Sequence, residues 1–95
     1  MFIILLNYTG TLEEIDALVP AHRMFLNKYY ILNKFICSGA QIPRTGGVIL
    51  CNAASKDEVK QIIAEDPFHI HSVAKYNIIE FTPSKYAAAF EPFVF

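Results

Sequence analysis

The stretch Phe35-Ile36-Cys37-Ser38-Gly39-Ala40-Gln41-Ile42-Pro43-Arg44-Thr45-Gly46-Gly47-Val48-Ile49-Leu50-Cys51-Asn52 decides the fold. Two runs of strand character, Phe35 to Ile42 and Gly47 to Asn52, flank Pro43-Arg44-Thr45-Gly46, a segment dense in turn formers, so the stretch reads as an antiparallel hairpin. A turn centred near residue 44 or 45 sets Cys37 across from Cys51. A slip of one residue in the loop sends the two cysteines to opposite faces. The hairpin lies between two segments of helical character, and this sets the topology.

Upstream, Phe2 to Tyr8 is a continuous apolar run of strand length closed by Gly10. Thr11-Leu12-Glu13-Glu14 then spells a capping box and starts a helix. Pro20 removes a backbone donor and collides with the carbonyl of Asp16, which predicts a kink or restart there. Met24, Phe25, Tyr29, Leu32 and Phe35 recur at helical spacing beyond it, so the main helix is expected from about Pro20 to Asn33, with His22 in its first turn.

Downstream, Ser55-Lys56-Asp57-Glu58 is a second capping box, followed by the apolar stripe Val59, Ile62 and Ile63. Asp66-Pro67 halts that helix, because the residue before a proline is pushed out of helical geometry, and Asp66 can cap the turn that Pro67 begins. Lys75 to Thr82 reads as a fourth strand, and Ser84 to Phe90 as a short helix ended by Pro92. The order is βαββαβ across one domain, residues 1–95. That is the α+β, ferredoxin-like arrangement: a four-stranded antiparallel sheet with helices on one face.

The first, third and fourth strands are apolar at consecutive positions, the pattern of strands covered on both sides. Two helices cover one face, so the other calls for a second sheet, and a homodimer through the sheet face provides it. The composition agrees: 54 % of the chain is hydrophobic, against a usual ~45–50 %. Tyr86, Phe90 and Phe93 of the aromatic tail are expected to pack on the partner.

Charge excludes a class of partner. Eight basic and nine acidic residues give a net charge of −1, with the lysines and arginines scattered singly, which argues against nucleic acid binding. The run Phe2 to Leu6 is too short for a membrane span or a signal core and lacks a basic flank, so a cytoplasmic location without membrane attachment is expected. Cys37 and Cys51 read as small apolar core residues of a reducing compartment. Nothing near Cys37 suggests a thiolate nucleophile.

His22 is the residue that suggests chemistry. It interrupts a face carrying Phe25, Leu26 and Tyr29, and a helix start would disfavour its protonation and leave a proton acceptor near pH 7. Asp66, fixed by Pro67, is the carboxylate with a structural reason to hold still and orient it. His69 and His71 invite a metal reading with His22 as third ligand. In a helical turn, however, a spacing of two points their side chains about 200° apart, so no metal is expected.

Pro20-Ala21-His22-Arg23-Met24-Phe25-Leu26, the strand pair with Ser38-Gly39-Ala40 and Gly46-Gly47-Val48-Ile49, and Asp66-Pro67-Phe68 leading to Tyr76-Asn77-Ile78-Ile79-Glu80-Phe81 resemble, in that order, the YciI-like (YCII-related) family. The resemblance covers nearly the whole chain. It implies a dimeric α/β barrel with a pocket in each subunit that holds the histidine matched by His22 and the aspartate matched by Asp66. Ser38 and Gly39 match the small-residue strand beside that pocket, and Phe68 follows the aspartate into it as a substrate-binding residue. The family is similar to a dehydrochlorinase of chlorinated hydroxyquinols and, more distantly, to muconolactone isomerases. That implies cofactor-independent proton transfer on a small cyclic or phenolic molecule. The loop Pro43 to Gly46 is shorter here than in many relatives, which bears on how the pocket is covered.

Three functions compete on these residues. In an enzyme, His22 moves a proton, Asp66 orients it, and Ser38 or a backbone amide near Gly39 holds a developing oxyanion. A small-molecule binding or sensing module would use the same pocket without turnover. A purely structural dimer would leave His22 buried on a backbone carbonyl. The distance between His22 and Asp66, and a cavity at His22, separate the first two from the third.

Overall fold

A computed structural model describes residues 1–94; Phe95, the last residue of the aromatic tail, lies outside them. Its elements run β1 (Phe2–Tyr8), α1 (Leu12–Ile31), β2 (Phe35–Ala40), β3 (Gly46–Cys51), α2 (Lys56–Ile63), α3 (Pro67–Ile70) and β4 (Ala74–Glu80). The strands form one antiparallel sheet in the order β2-β3-β1-β4. This is the ferredoxin-like α+β fold expected of the element order, with α3 a single added turn.

Strand alternation divides the sheet into two faces. Phe2, Ile4 and Leu6 of β1 are fully buried and join Ile49 and Cys51 of β3 in one core with Ile15, Phe25 and Tyr29 of α1 and Val59, Ile62 and Ile63 of α2. The register places Ile3, Leu5, Val48, Leu50 and Ile79 together on the opposite face, half-buried or exposed. At the end of the hairpin the strands approach too closely for any side chain: a Cβ on Gly46 would stand 1.7 Å from the Leu6 carbonyl oxygen.

Both N-caps follow the sequence. Thr11 accepts from the Glu14 amide while Glu14 reaches back to the Thr11 amide, and Ser55 accepts from the Glu58 amide. Glu58 turns instead to the Ala54 amide.

Pro20 does not end or restart a helix. α1 runs without a break from Leu12 to Ile31, with Pro20 inside it on the solvent side. Losing one backbone bond to an interior proline costs about 3 kcal/mol. Burying Ile15 before it and Phe25 and Tyr29 after it on one core face returns roughly 1.5–3 kcal/mol each, so the stripe holds the helix together. Met24 and Leu32, read as part of the apolar periodicity, are largely exposed, while Phe35 opens β2.

The hairpin register also differs. The register from the turn sets Cys37 opposite Leu50, so Cys37 and Cys51 occupy opposite faces, and a bulge between Phe35 and Cys37 then brings Phe35 opposite Cys51. Cys37 is exposed, not in the core. Cys51 is buried, and desolvation pushes its thiol up to about 11. After β4 the expected helix over Ser84 to Phe90 is replaced by a 3-10 helix, Ala88–Phe93, without a side-chain cap and with Pro92 inside it. Asn52 Nδ2 donates to the Phe93 carbonyl at 2.5 Å and ties this segment to the end of β3. No helix among the described residues is long and apolar enough to cross a membrane.

Candidate functional site

The site is assembled by α1 and by the turn between α2 and α3. Asp66 is extended (φ −70°, ψ 124°) and Pro67 occupies the first turn of α3, so the aspartate caps that turn by accepting from the Phe68 amide at 3.0 Å. Its neighbour Glu65 is tied to α1 by Lys28 Nζ at 2.6 Å and by the Tyr29 hydroxyl. The turn that carries Asp66 is thereby pinned against the helix that carries His22.

Asp66 is wholly buried, yet its carboxylate is satisfied. Oδ1 accepts from the Phe68 amide and faces His22 Nδ1 at 2.8 Å; Oδ2 accepts from the Tyr76 hydroxyl at 2.6 Å. Burial, then the charge and hydrogen bond of Asp66, push the Tyr76 phenol far above its ordinary 10.0. Tyr76 therefore remains a donor and holds the carboxylate from behind.

The imidazole is held in plane as well as at one nitrogen. Phe68 stacks on it with centroids 4.1 Å apart and an interplanar angle of 11°, and Phe25 lies on it tilted at 5.9 Å. With Nδ1–H donated to the carboxylate, the neutral ring keeps its lone pair on Nε2. That nitrogen has no hydrogen-bond partner among the described residues, and the side chain is 14 % exposed.

His22 lines a cleft of about 800 Å³ between α1 and the β2–β3 end of the sheet. Apolar walls come from Leu6, Val19, Leu26, Ile49 and Phe68, and polar groups from Tyr8, Asp16, Arg23, Ser38 and Arg44. Ser38 Oγ lies 2.6 Å from the Tyr30 hydroxyl, which joins β2 to α1. Arg44 binds Asp16 at 2.5 Å. Gly39 lines the same cleft, and a Cβ there would meet no atom within 4 Å, so packing within this chain does not require the glycine.

His22, Asp66, Ser38, Gly39 and Phe68 thus converge, four of them on the cleft and Asp66 behind it. One reason offered for His22 fails. The N-terminus of α1 lies ten residues before it, about 15 Å away, whereas the helix dipole acts within the first turn. Asp66 orients the ring instead. His69 and His71 are exposed in and after α3, and no group of three His, Cys, Asp or Glu among the described residues could hold a metal. Sequence reading missed Tyr76, Tyr30 and the Asp16–Arg44 pair. Tyr76 pairs with Leu6, a helix-face position, so a register known in advance would have pointed it at the core.

A fold and a cleft of this kind define a ferredoxin-like α+β protein with a His/Asp pair at the wall of a ligand-sized cavity. The chain belongs to the YCII-related family, whose domain matches residues 1–82. No curated protein matches it in sequence. Among solved structures it is similar to 5-chloro-2-hydroxyhydroquinone dehydrochlorinase from Burkholderia phenoliruptrix in complex with 2,5-dihydroxybenzoquinone. The TM-score is 0.73 at 19 % identity, covering 94 % of this chain and 98 % of that one. At that identity the likeness establishes the shared fold.

Proposed function

We propose that this chain is a small cofactor-independent enzyme that transfers a proton on a small cyclic or phenolic organic molecule, with His22 as acid/base and Asp66 as the residue that orients it. The observation that carries the reading is the 2.8 Å contact from His22 Nδ1 to a buried, fully bonded carboxylate, with Nε2 uncommitted beside the cleft. Asp66 fixes the tautomer and stabilises the imidazolium formed when Nε2 takes a proton. A positioned acid/base group contributes about 10²–10⁴ in rate, so the reaction must be one whose proton is already activated, as beside a carbonyl or on a quinol ring.

Phe68 and Leu26 offer walls to such a ring, and the Ser38 hydroxyl, or an amide near Gly39, a donor for the oxygen on which charge develops. The dihydroxybenzoquinone bound by the dehydrochlorinase gives the class of molecule to try first. On the same reading a second copy of the chain covers the sheet face that carries Ile3, Leu5, Val48, Leu50 and Ile79, as a dimeric α/β barrel. An apolar strip of that extent is otherwise left to water.

The test is turnover. Chlorinated and unchlorinated hydroxyquinols and small lactones are offered to wild type and to His22→Ala, with ring absorbance and chloride release followed. At least one compound is expected to turn over, and the variant to lose about 10²-fold or more of that rate. Binding of these compounds with turnover of none would replace the enzyme by a small-molecule binding module.

A further inference from the structure

Helix α1 turns one stripe toward the cleft: Val19, His22, Arg23 and Leu26, at the spacing that places side chains on a common face. Arg23 brings a permanent positive charge to that stripe beside the proposed acid/base residue. Its guanidinium makes no hydrogen bond or ion pair among the described residues, whereas the cleft's other guanidinium, Arg44, is committed to Asp16. Arg23 and Arg44 are positive and Asp16 negative among the charged residues of the wall, so the wall carries one uncompensated positive charge when His22 is neutral. Asp66, behind the wall, is buried and already accepts three bonds.

We propose that the cleft selects a small organic monoanion, with Arg23 holding its carboxylate or ionised phenolic oxygen and with its apolar body against Leu26, Ile49 and Phe68. The proposal rests on the acid/base reading of the same cleft and deepens it by naming the charge of the ligand. The chemistry favours the assignment twice. A guanidinium bonds a carboxylate or phenolate oxygen through charge-assisted hydrogen bonds, stronger than those to a neutral group. A cation beside His22 also stabilises the negative charge that appears on the ligand when Nε2 removes a proton. A neutral ring leaves that guanidinium with water alone.

The test reads binding and not turnover, so its failure is distinct from failure of the proton-transfer reading. Amide ¹⁵N–¹H shifts are followed while wild type is titrated with 4-hydroxybenzoate, with its neutral analogue 4-hydroxybenzamide, and with 4-nitrophenol below and above its own ionisation. One or both anions are expected to bind about tenfold tighter than the neutral counterpart, with the preference shrinking as salt is added. Arg23→Gln should abolish the preference and Arg23→Lys should keep part of it. Arg23 is exposed and unbonded, so a melting curve is expected to show Arg23→Gln folded; if it is not, the wild-type preference and its salt dependence decide. Equal or equally absent binding of charged and neutral probes by wild type overturns the proposal. So does a preference that survives Arg23→Gln. Absence of the anion preference in wild type with turnover intact removes this proposal alone, and an intact preference without turnover removes the other.

Discussion

Replacing Asp66 by alanine removes one buried carboxylate and strands three donors, which makes it the most informative perturbation of this protein. Losing the cap on the Phe68 amide costs about 0.5–2 kcal/mol. The Tyr76 hydroxyl, aimed into the interior, loses its acceptor at a cost of about 1–3 kcal/mol. His22 Nδ1 loses a third bond worth about 1 kcal/mol, since water reaches part of the ring. Relief of the carboxylate's desolvation offsets some of this, leaving a destabilisation of about 3 kcal/mol, or a fall in Tm of roughly 12 °C or more for a chain of this size.

Asp66→Asn separates shape from charge. Its carbonyl can still cap α3 and its amide can donate to the Tyr76 oxygen, so about half of the loss or less is expected. Urea unfolding at neutral pH, followed by far-ultraviolet circular dichroism with m held constant, measures both. An alanine variant within about 1 kcal/mol of wild type, or an asparagine variant as damaged as the alanine one, would refute the bonding scheme around Asp66.

Other outcomes follow from the same structure. Pro20→Ala should stabilise the protein by about 1–2 kcal/mol in the same assay, because it restores a donor within α1 while adding some freedom to the unfolded chain; destabilisation would mean that the fold needs the proline. Cys51 loses its proton near 9.0 when unfolded and near about 11 when folded, so the folded state holds the extra proton between those values. Its contribution is complete below the lower value and is lost as pH rises to the upper one, roughly 3 kcal/mol in all; urea midpoints should therefore fall more steeply for wild type than for Cys51→Ala, and parallel slopes would contradict this. A thiol reagent should label Cys37 before Cys51, which reacts only on unfolding. Leu5→Glu, on the open sheet face, is expected to convert a dimer to a folded monomer by sedimentation; a wild type already monomeric at working concentration would remove the paired-sheet proposal.

How far the sequence could be read depended on whether a signal was local. The capping boxes at Thr11 and Ser55, the turn formers of Pro43 to Gly46 and the break at Asp66-Pro67 act within a few residues, and element order follows from them. Pro20 misled because its local rule is outweighed by burial of Ile15, Phe25 and Tyr29, a tertiary effect that the sequence does not display. The cysteine register failed because the turn is centred between Pro43 and Arg44 and not at residue 44 or 45, and strand period two turns an error of one residue into a change of face. At the site, His22 and Asp66 were legible as residue types in a family pattern. Tyr76 was not, because only the pairing of β4 with β1 turns its hydroxyl toward the carboxylate.

The role given to His22 is tested most directly by ¹⁵N NMR of its ring in the resting protein near neutral pH, before and after a hydroxyquinol is added. A proton on Nδ1 held toward Asp66, an Nε2 signal that changes when the ligand enters, and loss of the Nδ1 preference in Asp66→Ala are the expected result. A proton resident on Nε2, or an Nε2 signal indifferent to every ligand that binds, would contradict His22 as the group that takes the proton.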